Sequence, residues 1–246
     1  MGANPSTGAL FNKVVHPVLR TLGDVAGLVL PRRCAGCDAP LFEHEPAICT
    51  ICLDDLPLTR FHDDPANPVE RIFWGRVTLE SATALMHFDK HGRVQRMLHR
   101  LKYKGDRTTG RALGRMLGDQ LKDSPRFASV DTVLAVPLHP RKERERGYNQ
   151  AERLAGKLGA ATGIPVRSEV VRRRAATRTQ ALLDRGERSQ NVAHAFEARP
   201  GPRLNGRRIV VVDDVLTTGA TCSAVSRALR AAGASRVIVW TVARGT

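Results

Sequence analysis

The chain has 246 residues, 42% of them apolar, and a formal net charge of +15, so it can bury a core of one or two domains and is not wholly disordered. Its 7 Phe, 2 Tyr and 2 Trp are too few for a protein that grips single strands mainly by base stacking. Of 39 basic residues 32 are Arg, a bias that suits phosphate recognition and is equally what a GC-rich genome yields; either way an anionic partner is favoured.

Along residues 10–30, Phe11, Val14, Val18, Leu22, Val25 and Val29 recur at helical spacing. Lys13, His16, Arg20 and Asp24 interrupt them, which predicts an amphipathic helix docked on the body of the protein over residues 1–30, with Pro17 bending it or marking its start. No apolar run approaches the length of a spanning helix, and no signal peptide or anchor is expected.

Cys34 and Cys37, then Cys49 and Cys52, form two Cys-x2-Cys knuckles. Two such knuckles place four thiolates in a tetrahedron and predict a structural zinc site with no open position. Two disulfides are the alternative, disfavoured in the reducing cytoplasm where the chain is expected. His44 could replace one ligand, although a solvated loop histidine is the plainer reading. The Pro- and Asp-spotted stretch 54–70 reads as a connector, giving a zinc module over 31–70 and a larger domain over 71–246.

From there the pattern predicts a strand at 77–88 and helices at 91–103 and 109–122. A continuous apolar strand follows at 132–136, a helix at 147–161, a second strand from Pro165 to Val171, a third at 209–212, a helix at 219–232 and a fourth strand at 236–242. Fully apolar strands alternating with helices imply an α/β fold with a parallel sheet covered on both faces. Residues 172–190, with six Arg, break the rhythm as a long loop of functional or mobile type. Asn149 and Gln150 either start the following helix or touch ligand, and Cys222 falls on an apolar helix face as a core residue.

Ile209 to Thr221 carries the most chemistry. A buried strand delivers Asp213 and Asp214 to a small-residue loop that opens a helix. The free amides of the loop, the hydroxyls of Thr217, Thr218 and Thr221, and the positive helix end can surround a phosphate, with Gly219 permitting close approach. The carboxylates would repel phosphate, so they suit sugar hydroxyls or a Mg²⁺ bridge.

This segment resembles the phosphoribosyl-pyrophosphate (PRPP) motif of type I phosphoribosyltransferases. With Lys102 to Asp106, Pro137 to Pro140, Arg146 to Gln150, Arg174, Thr177, Gln180, Arg188, Asn191 and the cysteine knuckles, it is similar to the ComF family over roughly residues 30–244. The resemblance implies a type I phosphoribosyltransferase fold carrying a small N-terminal four-cysteine zinc-binding module, and a link to competence, the uptake of DNA. It makes Asp213 and Asp214 contacts to the ribose hydroxyls, and Leu216, Thr217, Thr218, Gly219, Ala220 and Thr221 the 5′-phosphate loop. Pro137 and Leu138, with Arg141 and Lys142 on the leaving group, would meet pyrophosphate; Arg174, Arg178 and Gln180 would lie on the loop that closes over PRPP. Arg141, Lys142, Asp213 and Asp214 are the expected catalytic set, with Mg²⁺ accompanying PRPP.

Two activities remain open on the sequence: phosphoribosyl transfer with pyrophosphate release, or a non-catalytic, PRPP-responsive protein that binds single-stranded DNA in the uptake pathway. The second draws on the basic stretch 91–115, with eight Lys/Arg against Asp106. Competence-machinery proteins are expected partners, with no membrane span.

Overall fold

The computed structural model describes residues 32–103, 105–174 and 195–245. The helix predicted over residues 1–30, together with Lys104, Thr177, Arg178, Gln180, Arg188 and Asn191, lies outside the described residues.

In chain order the elements are α1 (Thr50–Asp54), β1 (Ser81–His87), α2 (Arg93–Tyr103), α3 (Arg107–Asp123), β2 (Thr132–Ala135), α4 (Pro140–Arg146), α5 (Gln150–Thr162), β3 (Val171–Arg173), β4 (Phe196–Ala198), β5 (Arg208–Leu216), α6 (Ala220–Ala231) and β6 (Arg236–Arg244). β1, β6, β5 and β2 form, in that order, a parallel sheet; β3 and β4 form a separate antiparallel ribbon.

Strand alternation sorts the side chains of β5 into two cores. Val210 and Val212 pack with α2, α3 and α5, and Ile209 and Val211 pack with α6 on the other face. Such burial on both faces is why this strand is continuously apolar. Trp240 of β6 is fully buried, its ring centroid 4.3 Å from that of Phe127. The helices α3 and α5 approach closely because Gly110, Gly114 and Gly118 recur every fourth residue of α3. A Cβ on Gly114 would stand 2.6 Å from Lys157 Cβ and 2.9 Å from the Leu154 carbonyl oxygen.

Five expectations are corrected. The second predicted strand, Pro165 to Val171, shrinks to a single parallel bridge between Val166 and Val133. Its ladder stops because the Ala135 amide donates to Ser168 Oγ at 3.1 Å, where a backbone carbonyl would continue the pairing. The strand predicted at 77–88 begins only at Ser81, and the helix predicted from 147 begins at Gln150. Gly147, left-handed with φ 75°, ends α4, and Asn149 caps α5 by accepting from the Ala151 amide. Arg141 and Lys142, expected on the loop after the strand at 132–136, therefore lie in the first turn of the short helix α4, and Arg172 to Arg174, expected in the long loop, open the β3–β4 ribbon.

The cysteine module packs into the main core. Cys34, Ala35, Ala47, Ile48 and Cys52 share one apolar cluster with Val94, Met97, Leu98 and Leu101 of α2. Three arginines of α2 fasten the contact: Arg93 pairs with Asp55, Arg96 donates to the Gly36 carbonyl, and Arg100 reaches the Arg33 carbonyl and the Asp38 carboxylate.

Candidate functional site

The chain leaves β2 through α5 toward Val166 on one side, and leaves β5 through α6 toward β6 on the other. The boundary between β2 and β5 is thus the switch point of the sheet, where ligands of open α/β folds bind outside the carboxyl ends of the strands. The last rung between the two strands is the Val136 amide on the Val212 carbonyl, 2.9 Å. Beyond it β5 runs on to Leu216 beside β6 alone. Asp213 and Asp214 follow immediately.

Being adjacent in a strand, the two carboxylates take opposite faces. Asp213 accepts the Asp214 amide at Oδ1, 2.8 Å, and its Oδ2 lies 4.0 Å from Cys222 Sγ on the α6 side. Asp214 accepts the Val215 amide at Oδ1, 2.8 Å, and its Oδ2 is 3.0 Å from the Lys102 ammonium on the α2 side. Burial, reinforced by the charge of Asp214, pushes the Asp213 carboxyl well above the usual carboxylate range. Burial likewise raises the thiol of Cys222, which is a core residue as expected.

The loop after β5 turns at Gly219, which heads α6 in the left-handed conformation, φ 73°. Its absent side chain matters twice, since a Cβ would stand 2.8 Å from Ile72 Cγ2 and 3.1 Å from Phe73 Cε1. Among the described residues the amides of Thr217, Thr218 and Gly219 have no internal acceptor, and Arg76 steadies the loop by donating to the Thr218 carbonyl at 2.9 Å. Thr217 and Thr218 are exposed and Leu216 is buried, so Leu216 can offer a ligand only backbone. A loop of free amides at the start of a twelve-residue helix is a seat for an anion.

Facing it across the switch point, Pro137 and Leu138 lead to His139, the cap of α4, whose Nδ1 accepts the Arg141 amide at 3.2 Å. Burial and then the charges of Arg173, Lys142, Arg144 and Arg141 hold the His139 imidazole below its ordinary value. Protonation is therefore disfavoured in the folded chain. The stability that neutral His139 contributes is complete above about pH 6.5 and is lost as pH falls through the lower folded value. An NMR titration of His139 is expected to show a midpoint below about 6.5, and pyrophosphate bound among these cations is expected to raise it; a midpoint unmoved by saturating pyrophosphate would remove the anion from this side of the site.

Not every expected residue points at the switch point. Arg141 is exposed and pairs with Glu145 at 2.9 Å. Arg174 pairs with Glu197 at 3.4 Å, and Asn149 and Gln150 serve the start of α5. Two cations near the acid pair escaped the sequence reading. Lys102 comes from α2, and Arg173 is half-buried on β3, where burial lowers its basicity and the charge of Asp213 opposes that loss. Neither shows in a local pattern; the family motif at 102–106 flags the first without giving it a partner.

The four knuckle cysteines form a second centre. Their sulfurs lie within 4.8 Å of one another, and Cys37 and Cys49 are 3.7 Å apart. Zinc–sulfur bonds of about 2.3 Å imply tetrahedral edges of about 3.8 Å, so the set fits a tetrahedral metal ion. His44 is outside the cluster. Burial alone would raise the Cys34 thiol, yet backbone N–H groups of Cys49, Cys37 and Gly36 bring it down to about 7. Glu45 ties the knuckles by accepting from the amides of Phe42 at 2.9 Å and Thr50 at 2.7 Å.

Residues 145–246 match the family model described as the phosphoribosyl transferase domain. Competence protein F of Haemophilus influenzae is 34% identical over 152 residues, covering 60% of this chain and 66% of that protein. DNA utilization protein YhgH of Escherichia coli is 34% identical over 151 residues, with the same 60% and 66% coverage. The YhgH protein of Salmonella typhimurium is 28% identical over 235 residues, 88% of this chain and 99% of that one. The first two alignments thus stop just short of two thirds of the relatives' length. Among the described residues no helix is long and apolar enough to cross a membrane. Four clustered cysteines thus stand ahead of a parallel sheet that includes the phosphoribosyl transferase match, in a chain similar over 60% or more of its length to these competence and DNA utilization proteins.

Proposed function

We propose that the chain binds PRPP with Mg²⁺ at the β2–β5 switch point, transfers the phosphoribosyl group and releases pyrophosphate, in the service of DNA uptake. The observation that carries this reading is the juxtaposition of the Asp213–Asp214 pair with the unpartnered amides of the Gly219 loop. The carboxylates suit ribose hydroxyls and the amides suit the 5′-phosphate. Leu216 to Thr221 would cradle that phosphate. Pro137, Leu138, Arg141 and Lys142 would meet pyrophosphate, with Arg174 at the root of the ribbon.

In the reaction the bond from ribose C1 to the pyrophosphate oxygen breaks and pyrophosphate keeps the electron pair. The nitrogen of an acceptor N–H group then bonds to C1 through its lone pair, and its proton passes to water. Mg²⁺ bound with PRPP would neutralise charge on the leaving group, and Lys142 and Arg173, with Arg141 once released from Glu145, would add positive potential where that charge gathers. Cys34, Cys37, Cys49 and Cys52 would hold a structural zinc, a role suited to free thiols in a reducing cytoplasm.

Calorimetry tests the site. Wild-type protein is expected to bind Mg·PRPP, and Asp213→Asn/Asp214→Asn to lose about 100-fold or more in affinity, since two charge-assisted hydrogen bonds are weakened. Equal affinity in the two proteins would refute the assignment.

One feature favours the second reading, a PRPP-responsive DNA binder. The face where α3 and α5 meet carries Arg107, Arg111, Arg153 and Lys157 around a cleft of about 430 Å³, a distribution that suits a phosphodiester backbone. Pyrophosphate release measured against a panel of amines and nucleobases separates the two. Release with any acceptor supports transfer, whereas silence combined with salt-sensitive retardation of single-stranded DNA supports the binder.

A further inference from the structure

We propose that Lys102 is a positioning residue of the PRPP site, aiming Asp214 at a ribose hydroxyl through a fixed ion pair. The inference rests on the PRPP reading above and assigns a residue that reading did not include.

Asp214 is nearly sealed, its side chain 7% exposed. One oxygen, Oδ1, is committed to the Val215 amide. The other, Oδ2, is buried and accepts no conventional hydrogen bond; its charge is met by the Lys102 ammonium at 3.0 Å. A buried carboxylate next to a second carboxylate would otherwise suffer desolvation and like-charge repulsion together. The ammonium answers both. By holding Oδ2 it also fixes the orientation of the carboxylate at the strand end, where the PRPP reading places a ribose hydroxyl.

The lysine can set geometry only if its own base is fixed, and α2 is tied down on three sides. Leu101, the preceding residue, is fully buried, and its carbonyl accepts the Tyr148 hydroxyl. Just before it Arg100 donates to the Arg33 carbonyl at 3.0 Å, and one turn further back Arg96 binds the Gly36 carbonyl inside the first knuckle. The ammonium is thus delivered to β5 by a helix clamped between the cysteine module and Tyr148, in the turn that leads into α5. A surface lysine on a free helix end would lose this precision to side-chain entropy.

The consequence is specific. Acting through Asp214, Lys102 contributes to ligands with a ribose ring and not to pyrophosphate. Titration calorimetry with Mg²⁺ compares PRPP, ribose 5-phosphate and pyrophosphate on wild type, Lys102→Met, Lys102→Arg, Asp214→Asn and the Lys102→Met/Asp214→Asn double variant. Lys102→Met is expected to weaken PRPP and ribose 5-phosphate alike, by about 10- to 50-fold, and to leave pyrophosphate unchanged. Lys102→Arg is expected to recover part of the loss. On the Asp214→Asn background the lysine change is expected to do almost nothing, because its partner is gone.

Additive losses in the double variant, or a loss on pyrophosphate, would show a lysine that touches the ligand directly and would overturn the inference. So would a wild-type affinity for PRPP in Lys102→Met. If wild-type protein binds none of the three ligands, the PRPP reading itself fails and takes this inference with it. A folded thermal transition in Lys102→Arg keeps the comparison valid should Lys102→Met lose its fold.

Discussion

Purified wild-type protein is expected to carry about one zinc per chain, and Cys52→Ser is expected to lose most of it along with several kcal/mol of stability. The size of the effect follows from where the metal would sit. Structural zinc in isolated fingers contributes about 10–16 kcal/mol of apparent binding free energy, nearly all of it folding energy. A whole domain is stable by only about 5–15 kcal/mol. The knuckles here have little secondary structure of their own to hold them, because α1 is five residues long and the segment before it is turns and bridges.

The damage would not stay local. Cys34, Ala35, Ala47 and Ile48 cover Met97, Leu98 and Leu101, so opening the module strips one side of α2. A net loss of about 4 kcal/mol would lower the melting temperature by roughly 10 °C in a chain of this size. Metal analysis and melting curves check the metal and the stability, and amide exchange locates the change, which is expected to concentrate in residues 32–58 and α2. Cys222→Ser is the control, since it also changes a buried cysteine, one on α6 remote from the four-sulfur cluster, and should keep full metal content. Full zinc in Cys52→Ser would exclude the tetrathiolate assignment.

How much of this was written locally in the chain differs from element to element. The run Ile209 to Thr221 announces itself because a doubly buried strand needs continuous apolar residues and a phosphate seat needs small ones. The helices α3 and α5 announce themselves through their apolar stripes. By contrast, α4 is Pro-Arg-Lys-Glu-Arg-Glu-Arg, with no apolar face and no buried residue. It forms because His139 caps one end and Gly147 the other, a signal too short for periodicity to find. The strand expected from Pro165 failed for a related reason, since a single serine hydroxyl took the place of a backbone acceptor.

The cations of the site were the least legible part. Lys102 meets a residue more than a hundred positions away, and Arg173 feels the charge of Asp213 from a separate two-stranded ribbon. Local composition marked the neighbouring Arg141 and Arg174 equally well, and these instead pair with Glu145 and Glu197. A basic residue close in sequence to a phosphate motif says that positive charge is plentiful; which cation reaches the carboxylates depends on how the sheet edge and α2 are brought together.

That dependence on backbone placement makes Gly219→Val the most damaging single change to the site. Two penalties act on the same atom. A β-branched residue at φ 73° is strained by about 1–2 kcal/mol. Its Cβ would also stand 2.8 Å from Ile72 Cγ2 and 3.1 Å from the ring of Phe73, which is itself fully buried and cannot retreat. Overpacking of this kind adds about 1–3 kcal/mol. The cheaper escape is for the loop to leave the left-handed turn, which swings the amides of Thr217 to Gly219 away from a common point and unseats the first turn of α6. The expected result is a stability loss of about 3 kcal/mol by urea denaturation, with Mg·PRPP binding falling below detection. Gly219→Ala, with the same contact but a smaller side chain, should fall between. The sheet itself should persist, since β5 is paired with β6 along its whole length. A folded Gly219→Val protein that binds PRPP with wild-type affinity would mean that the phosphate is held somewhere other than on these amides.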